Sequence, residues 1–114
     1  MTVLIVDDHP SFRSSARALL EAEGYEVIGE AENGIDGLRA ARELHPQVVL
    51  LDVQLPDIDG FEVASRLTKD EGAPAVVLIS SRDGSDFGHL VRDSGARGFI
   101  PKAELSGDAI AALV

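Results

Sequence analysis

The chain has 114 residues and a mass of 12.1 kDa, room for one core and no second domain, so residues 1–114 read as a single unit. Hydrophobic residues make up 45% and charged residues 26%, which excludes a disordered tract, and no apolar run approaches the roughly 18 residues of a membrane span. A net charge of −10 argues against direct nucleic-acid contact, and the absence of cysteine removes disulfides, thiolate metal sites and thiol nucleophiles.

In chain order, the first element is a strand over Val3 to Val6, entered directly from an amino end, MTVLIVDD, with no basic region and no cleavage pattern. A cytoplasmic location is the corresponding expectation. Phe12, Ala16, Leu19 and Leu20 mark a helical face closed by Gly24, and a strand follows over Val27 to Ala31. Leu38, Ala41 and Leu44 mark a second helix closed by Pro46, before the strand Val48 to Val53. Phe61, Ala64 and Leu67 give a third helix, and Ala75 to Ser80 the fourth strand. Phe87, Leu90 and Val91 give a fourth helix, Gly98 to Pro101 a fifth strand, and Ala109, Ile110 and Leu113 a last helix. That helix is short and ends apolar, so the natural chain is expected to continue.

Strand and helix alternate five times, which predicts an α/β fold with a doubly wound parallel sheet and helices on both faces. The apolar runs at 48–53 and 75–80 fit central strands buried on both sides. In such sheets functional groups collect at the carboxyl ends of the strands. Strand 1 ends in Asp7 and Asp8, strand 3 in Asp52, strand 4 in Ser80, and strand 5 near Lys102.

With strands 1 and 3 adjacent, as in the flavodoxin-like order 2-1-3-4-5, three carboxylates meet. At ~5 Å and an effective dielectric of ~20, each ionised pair repels by roughly 3 kcal/mol, so a cation is required. Mg²⁺ fits, since it takes hard oxygen ligands and recruits phosphate oxygens. Lys102 can pair with Asp52 or with a phosphoryl oxygen, and the Ser80 hydroxyl can bond that same oxygen. A carboxylate beside these groups suits phosphoryl transfer onto itself.

"VLIVDDHP", "VVLLDVQLPDIDG", "VVLIS" and "GFIPK" together resemble the receiver domains of two-component response regulators, over essentially the whole chain. The resemblance implies that Asp52 accepts phosphate from a phosphohistidine on a sensor histidine kinase or phosphotransfer protein. It implies that Asp8 binds Mg²⁺ directly and Asp7 largely through water, with Asp52 and the Gln54 backbone carbonyl completing the set. Ser80 would be the switch hydroxyl, Phe99 the switch aromatic, and Lys102 the holder of the phosphoryl group. Gln54 and Arg82 match positions that tune phosphoryl lifetime. The α4–β5–α5 face would signal to an output domain or a partner, with homodimerisation on phosphorylation. "PKAE" and "DDHP" resemble regulators bearing helix-turn-helix outputs or short stand-alone relatives. Ala103 departs from the proline that commonly follows the lysine, so a trans bond is expected there.

Other readings of these residues stand beside this one. Asp7 and Asp8 can cap helix 1; Ser81 can replace Ser80 on a one-residue slip; Phe99 can be core as well as switch. Asp57 and Asp59 read as turn and N-cap residues before helix 3, with Pro56 and Gly60 as turn formers. His9 reads as a helix-1 surface residue, and neither it nor His45 or His89 is assigned to the site. An aspartate-nucleophile phosphatase would want an acid where Gln54 stands, and a flavin protein would want phosphate donors where the acidic "DDHPS" stands. The chain is therefore read as a switch that promotes only its own phosphorylation and dephosphorylation.

Overall fold

In a computed structural model, which describes residues 1–81 and 87–114, five parallel strands form one sheet in the order β2-β1-β3-β4-β5. The strands are β1 (Thr2–Val6), β2 (Glu26–Ala31), β3 (Val48–Asp52), β4 (Ala75–Ser80) and β5 (Gly98–Pro101). The helices are α1 (Pro10–Ala22), α2 (Gly34–Leu44), α3 (Gly60–Leu67), α4 (Gly88–Asp93) and α5 (Gly107–Ala111), with a 3₁₀ turn over Lys102–Glu104. The expected class, strand order and element sequence are all observed.

The side-chain alternation of the strands splits the core in two. Leu4, Val6, Val49, Leu51, Val76 and Leu78 face α2 and α3, where Leu38, Ala41, Val63 and Ala64 meet them. Val3, Ile5, Val48, Leu50, Val77 and Ile79 face Ala16 and Leu20 of α1 and Ile110 of α5. Both faces of β3 are fully buried, which is why its sequence is apolar without a break.

An apolar strand of this kind carries little register information on its faces, because a shift along it exchanges one aliphatic residue for another. Its start is fixed by polar groups. The Gln47 side-chain oxygen accepts from the Thr2 amide at 2.9 Å, and the Gln47 amide donates to the Thr2 hydroxyl at 2.9 Å. This reciprocal clasp lies just before the pairing of Val3 with Val48 and runs through to Val6 opposite Leu51.

Helix starts follow local chemistry. Asn33 caps α2 through the Asp36 amide, Asp59 caps α3 through the Glu62 amide, and Ser106 caps α5 through the Ala109 amide. Asp57 departs from the expectation for it. Its carboxylate reaches not into α3 but across to α2, accepting from the amides of Gly34 at 2.7 Å and Ile35 at 2.8 Å. The physical reason is that the first amides of α2 lack intrahelical acceptors and the β3–α3 loop passes beside them. Gly60 is required by packing: a Cβ there would run into the Asp52 carbonyl and Val53 Cα, so only glycine lets α3 begin against the end of β3.

Candidate functional site

Asp7 follows β1 and Asp52 ends β3, and the sheet register carries both to the same edge. Asp7 is wholly buried and Asp52 is 2% exposed, whereas Asp8 faces solvent. Donor atoms of Asp7, Asp8, His9 and Asp52 all lie within 4.8 Å of one another, the arrangement of a cation site.

Lys102 enters this cluster from the far side. Its Nζ lies 2.7 Å from Asp7 Oδ2 and 3.3 Å from Asp52 Oδ2, with the side chain 15% exposed. The ammonium also sits 4.5 Å from the centre of the Phe12 ring of α1, a cation–π contact that steers it. The lysine stands just beyond β5, as the first residue of the 3₁₀ turn, and every peptide bond among the described residues is trans. The expected trans bond after Lys102 is therefore observed.

Burial sets the proton affinities here. Desolvation raises the Asp52 carboxyl above the ordinary range, with Asp7 adding to it, while the Gln54 amide at 3.1 Å and Lys102 pull the other way. For Lys102, burial favours proton loss, but the carboxylates of Asp7 and Asp52 outweigh it and hold the ammonium above the usual lysine value. Asp7 Oδ2 is buried without a hydrogen-bond partner; its contact with Lys102 is an ion pair by distance alone. One lysine facing two buried carboxylates and Asp8 leaves negative charge in excess, and the donors are all hard oxygens apart from one imidazole. That donor set fits Mg²⁺.

The remaining expected residues divide. Ser80 is the last residue of β4, buried, and pairs in register with Pro101 beside Lys102; Ser81 lies outside the strand and is exposed, so Ser80 is the residue at the edge of the site. Gln54 reaches the site through its backbone, by the amide bond to Asp52, with an exposed side chain. Phe99 is half-buried and packs against the α2/α3 side of the core, its ring 5.5 Å from that of Phe87, which lies 5.5 Å from Phe61. Arg82 falls outside the described residues.

Two residues at the site were not expected there. His9, read from sequence as helix surface, stands at the N-cap of α1 without capping it. Its amide donates to Asp7 Oδ1 at 2.8 Å, and its Nδ1 lies 3.0 Å from Asp7 Oδ1 and 3.1 Å from Asp8 Oδ1. Its position directly after the acidic pair was the available signal. Arg13, one turn into α1, donates to the Asp7 backbone carbonyl at 2.6 Å and pairs with Glu30 of β2. Arg17 also binds Glu30, at 2.7 Å, and that hydrogen bond, with Arg13 and against burial, lowers the Glu30 carboxyl. These contacts fasten α1 to the backbone that presents Asp7.

The model of the response regulator receiver domain matches residues 3–114. BvgA of Bordetella pertussis, named for positive regulation of virulence-factor transcription, is 50% identical over 103 residues, covering 90% of this chain and 49% of its own length. The DNA-binding transcriptional activator EvgA of Escherichia coli K12 is 30% identical, covering 99% of this chain and 55% of its own. The chain thus spans about half the length of these curated relatives. Among solved structures, the signal receiver domain of NarL from Mycobacterium tuberculosis superposes with a TM-score of 0.86 at 32% identity, covering 98% of this chain and 94% of that one. A LuxR-family two-component response regulator from Aurantimonas gives a TM-score of 0.88 at 33% identity, covering 97% and 82%. With the sheet order and the acidic edge it shares the family's sequence over nearly its whole length, and the chain belongs to the response regulator receiver domain family.

Proposed function

We propose that the chain is a phosphorylation-controlled switch in which Asp52 takes a phosphoryl group from a phosphohistidine of a sensor histidine kinase or phosphotransfer protein. The observation that carries this is the placement of Lys102 between two buried carboxylates, Asp7 and Asp52, at the carboxyl edge of the sheet. Asp8, Asp52 and the Gln54 backbone carbonyl would hold Mg²⁺, with Asp7 behind them, and bound Mg²⁺ would neutralise charge on the incoming phosphate oxygens.

The residues of the chain then divide the work. Asp52, nearly buried and braced by the Gln54 amide, presents one oxygen as nucleophile. Lys102, held by Phe12 and Asp7, is placed to pair with a phosphoryl oxygen once Asp52 is esterified. Ser80, on the neighbouring strand end, is within the same edge and serves as the switch hydroxyl. Phe99 carries the change to the α4–β5–α5 face through a population shift, with Gln54 and Arg82 tuning the lifetime.

The relatives named as transcription regulators support a place for this domain inside a longer regulator of transcription, cytoplasmic, with dimerisation on phosphorylation and DNA contact made elsewhere in that protein. The net charge of −10 supports the last point. Among the described residues no helix is long and apolar enough to cross a membrane.

The test is Mg²⁺-dependent labelling by acetyl phosphate, followed by phosphate-affinity electrophoresis. Wild type is expected to label and Asp52→Asn to fail; equal labelling of the two would reject Asp52 as acceptor.

A further inference from the structure

The carboxylates at the sheet edge are oxygen donors, and one nitrogen donor stands among them. His9 Nδ1 lies 3.0 Å from Asp7 Oδ1 and 3.1 Å from Asp8 Oδ1, and His9 offers a ring nitrogen to the group, Asp52 included, whose donors all fall within 4.8 Å. For metal–ligand bonds of ~2.1 Å, adjacent donors of an octahedron are ~3.0 Å apart, so the ring nitrogen stands where a cis ligand would stand.

Asp7 Oδ1 already accepts from the His9 amide, so the imidazole is not needed to satisfy it. The ring nitrogen is hydrogen-bonded to Asp7 Oδ1 at 3.0 Å and lies nearly as close to Asp8 Oδ1, at 3.1 Å, so it stands between oxygens of two different residues. Asp7 Oδ2, the other oxygen of that carboxylate, is buried and ion-paired with Lys102 at 2.7 Å. The His9 side chain is 62% exposed, so little packing holds the ring over the carboxylates.

We propose that His9 donates Nδ1 to the cation site, giving it a mixed nitrogen and oxygen donor set that favours divalent transition cations such as Co²⁺ or Ni²⁺ over Mg²⁺. This rests on reading the acidic cluster as the cation site. Imidazole strengthens binding of these ions along the order Mn²⁺ < Co²⁺ < Ni²⁺, whereas Mg²⁺ keeps oxygen and water. His9 is thereby a specificity-determining residue for the cation.

The experiment is calorimetric titration of Mg²⁺ and, separately, Co²⁺ into wild type, His9→Ala, His9→Gln and Asp8→Asn, with the visible absorption of bound Co²⁺ recorded alongside. Both His9 variants are expected to lose about tenfold or more in Co²⁺ affinity and to shift the Co²⁺ bands, with Mg²⁺ affinity changed by less than about twofold. If Co²⁺ affinity survives in the His9 variants but falls in Asp8→Asn, the imidazole is no ligand and the cation site stands. If it survives in all three, the proposal and the cation-site reading both fail. Equal loss of Mg²⁺ and Co²⁺ in the His9 variants would overturn the proposal as well, because the ring would then act through shape or charge and not as a nitrogen donor.

Discussion

Asp57 Oδ1 accepts a 2.7 Å hydrogen bond from the amide of Gly34, joining the loop that leaves Asp52 to the first turn of α2. The second oxygen takes the Ile35 amide, so one exposed carboxylate caps a helix from 22 residues away. Asp57→Ala is expected to cost about 1 kcal/mol, the usual worth of a lost cap, measured by urea unfolding. Burial alone would raise this carboxyl, but the amides of Ile35, Gly34 and Ile58 outweigh it and hold it low. A lowered folded value means stability that is present above the ordinary carboxylate range and lost as pH falls through the folded value. The gap between variant and wild type should therefore close in acid.

Asp52 has the opposite sign. Its raised carboxyl means that the folded chain disfavours the ionised form, chiefly through burial and then through Asp7. Asp52→Asn is expected to raise the melting temperature by a few degrees at pH 7 without divalent cation. The gain should shrink as pH falls through the raised Asp52 value, where wild type also becomes neutral. A variant that melts lower than wild type at pH 7 would contradict this.

Lys102 lies against the oxygens of Asp7 and Asp52 that a bound cation would also need. Lys102→Met is expected to tighten Mg²⁺ binding severalfold by calorimetry, since one positive charge leaves a site with three carboxylates. Labelling by acetyl phosphate should fall at the same time, because the phosphoryl oxygen loses its partner. The two effects moving in opposite directions separate this residue from one that merely supports the fold.

Phe99 lies in a run of rings, Phe61 to Phe87 to Phe99, between α3 and β5. The chain has no tryptophan, so Phe99→Trp would report on this position alone. Its emission is expected to change on adding acetyl phosphate with Mg²⁺ and to stay constant in the Ser80→Ala background. A change that persists without Ser80 would uncouple the two residues.

The sheet was readable from sequence because its strands are apolar runs of five or six residues bounded by polar ends, and the three central ones keep to that pattern. For the same reason Asp7, Asp52, Ser80 and Lys102 were visible, each a polar residue following such a run. What escaped was contact between side chain and distant backbone. Asp57 on Gly34 and Arg13 on the Asp7 carbonyl depend on the path of loops and on helix docking, and no local periodicity encodes either. His9 is the exposed residue at the start of helix 1 that the sequence indicated, and what escaped was only the closeness of its ring to Asp7 and Asp8.

The clasp between Thr2 and Gln47 sits at the opposite end of the sheet from the carboxylates, yet it acts as their alignment pin. Between the clasp and the site run two stiff, nearly featureless strands that transmit whatever offset they are given. A slip at Gln47 would be copied, residue for residue, into the gap between Asp7 and Asp52. The spacing of the carboxylates at one edge is thus set from the other, by the side-chain amide of Gln47 and the hydroxyl of Thr2.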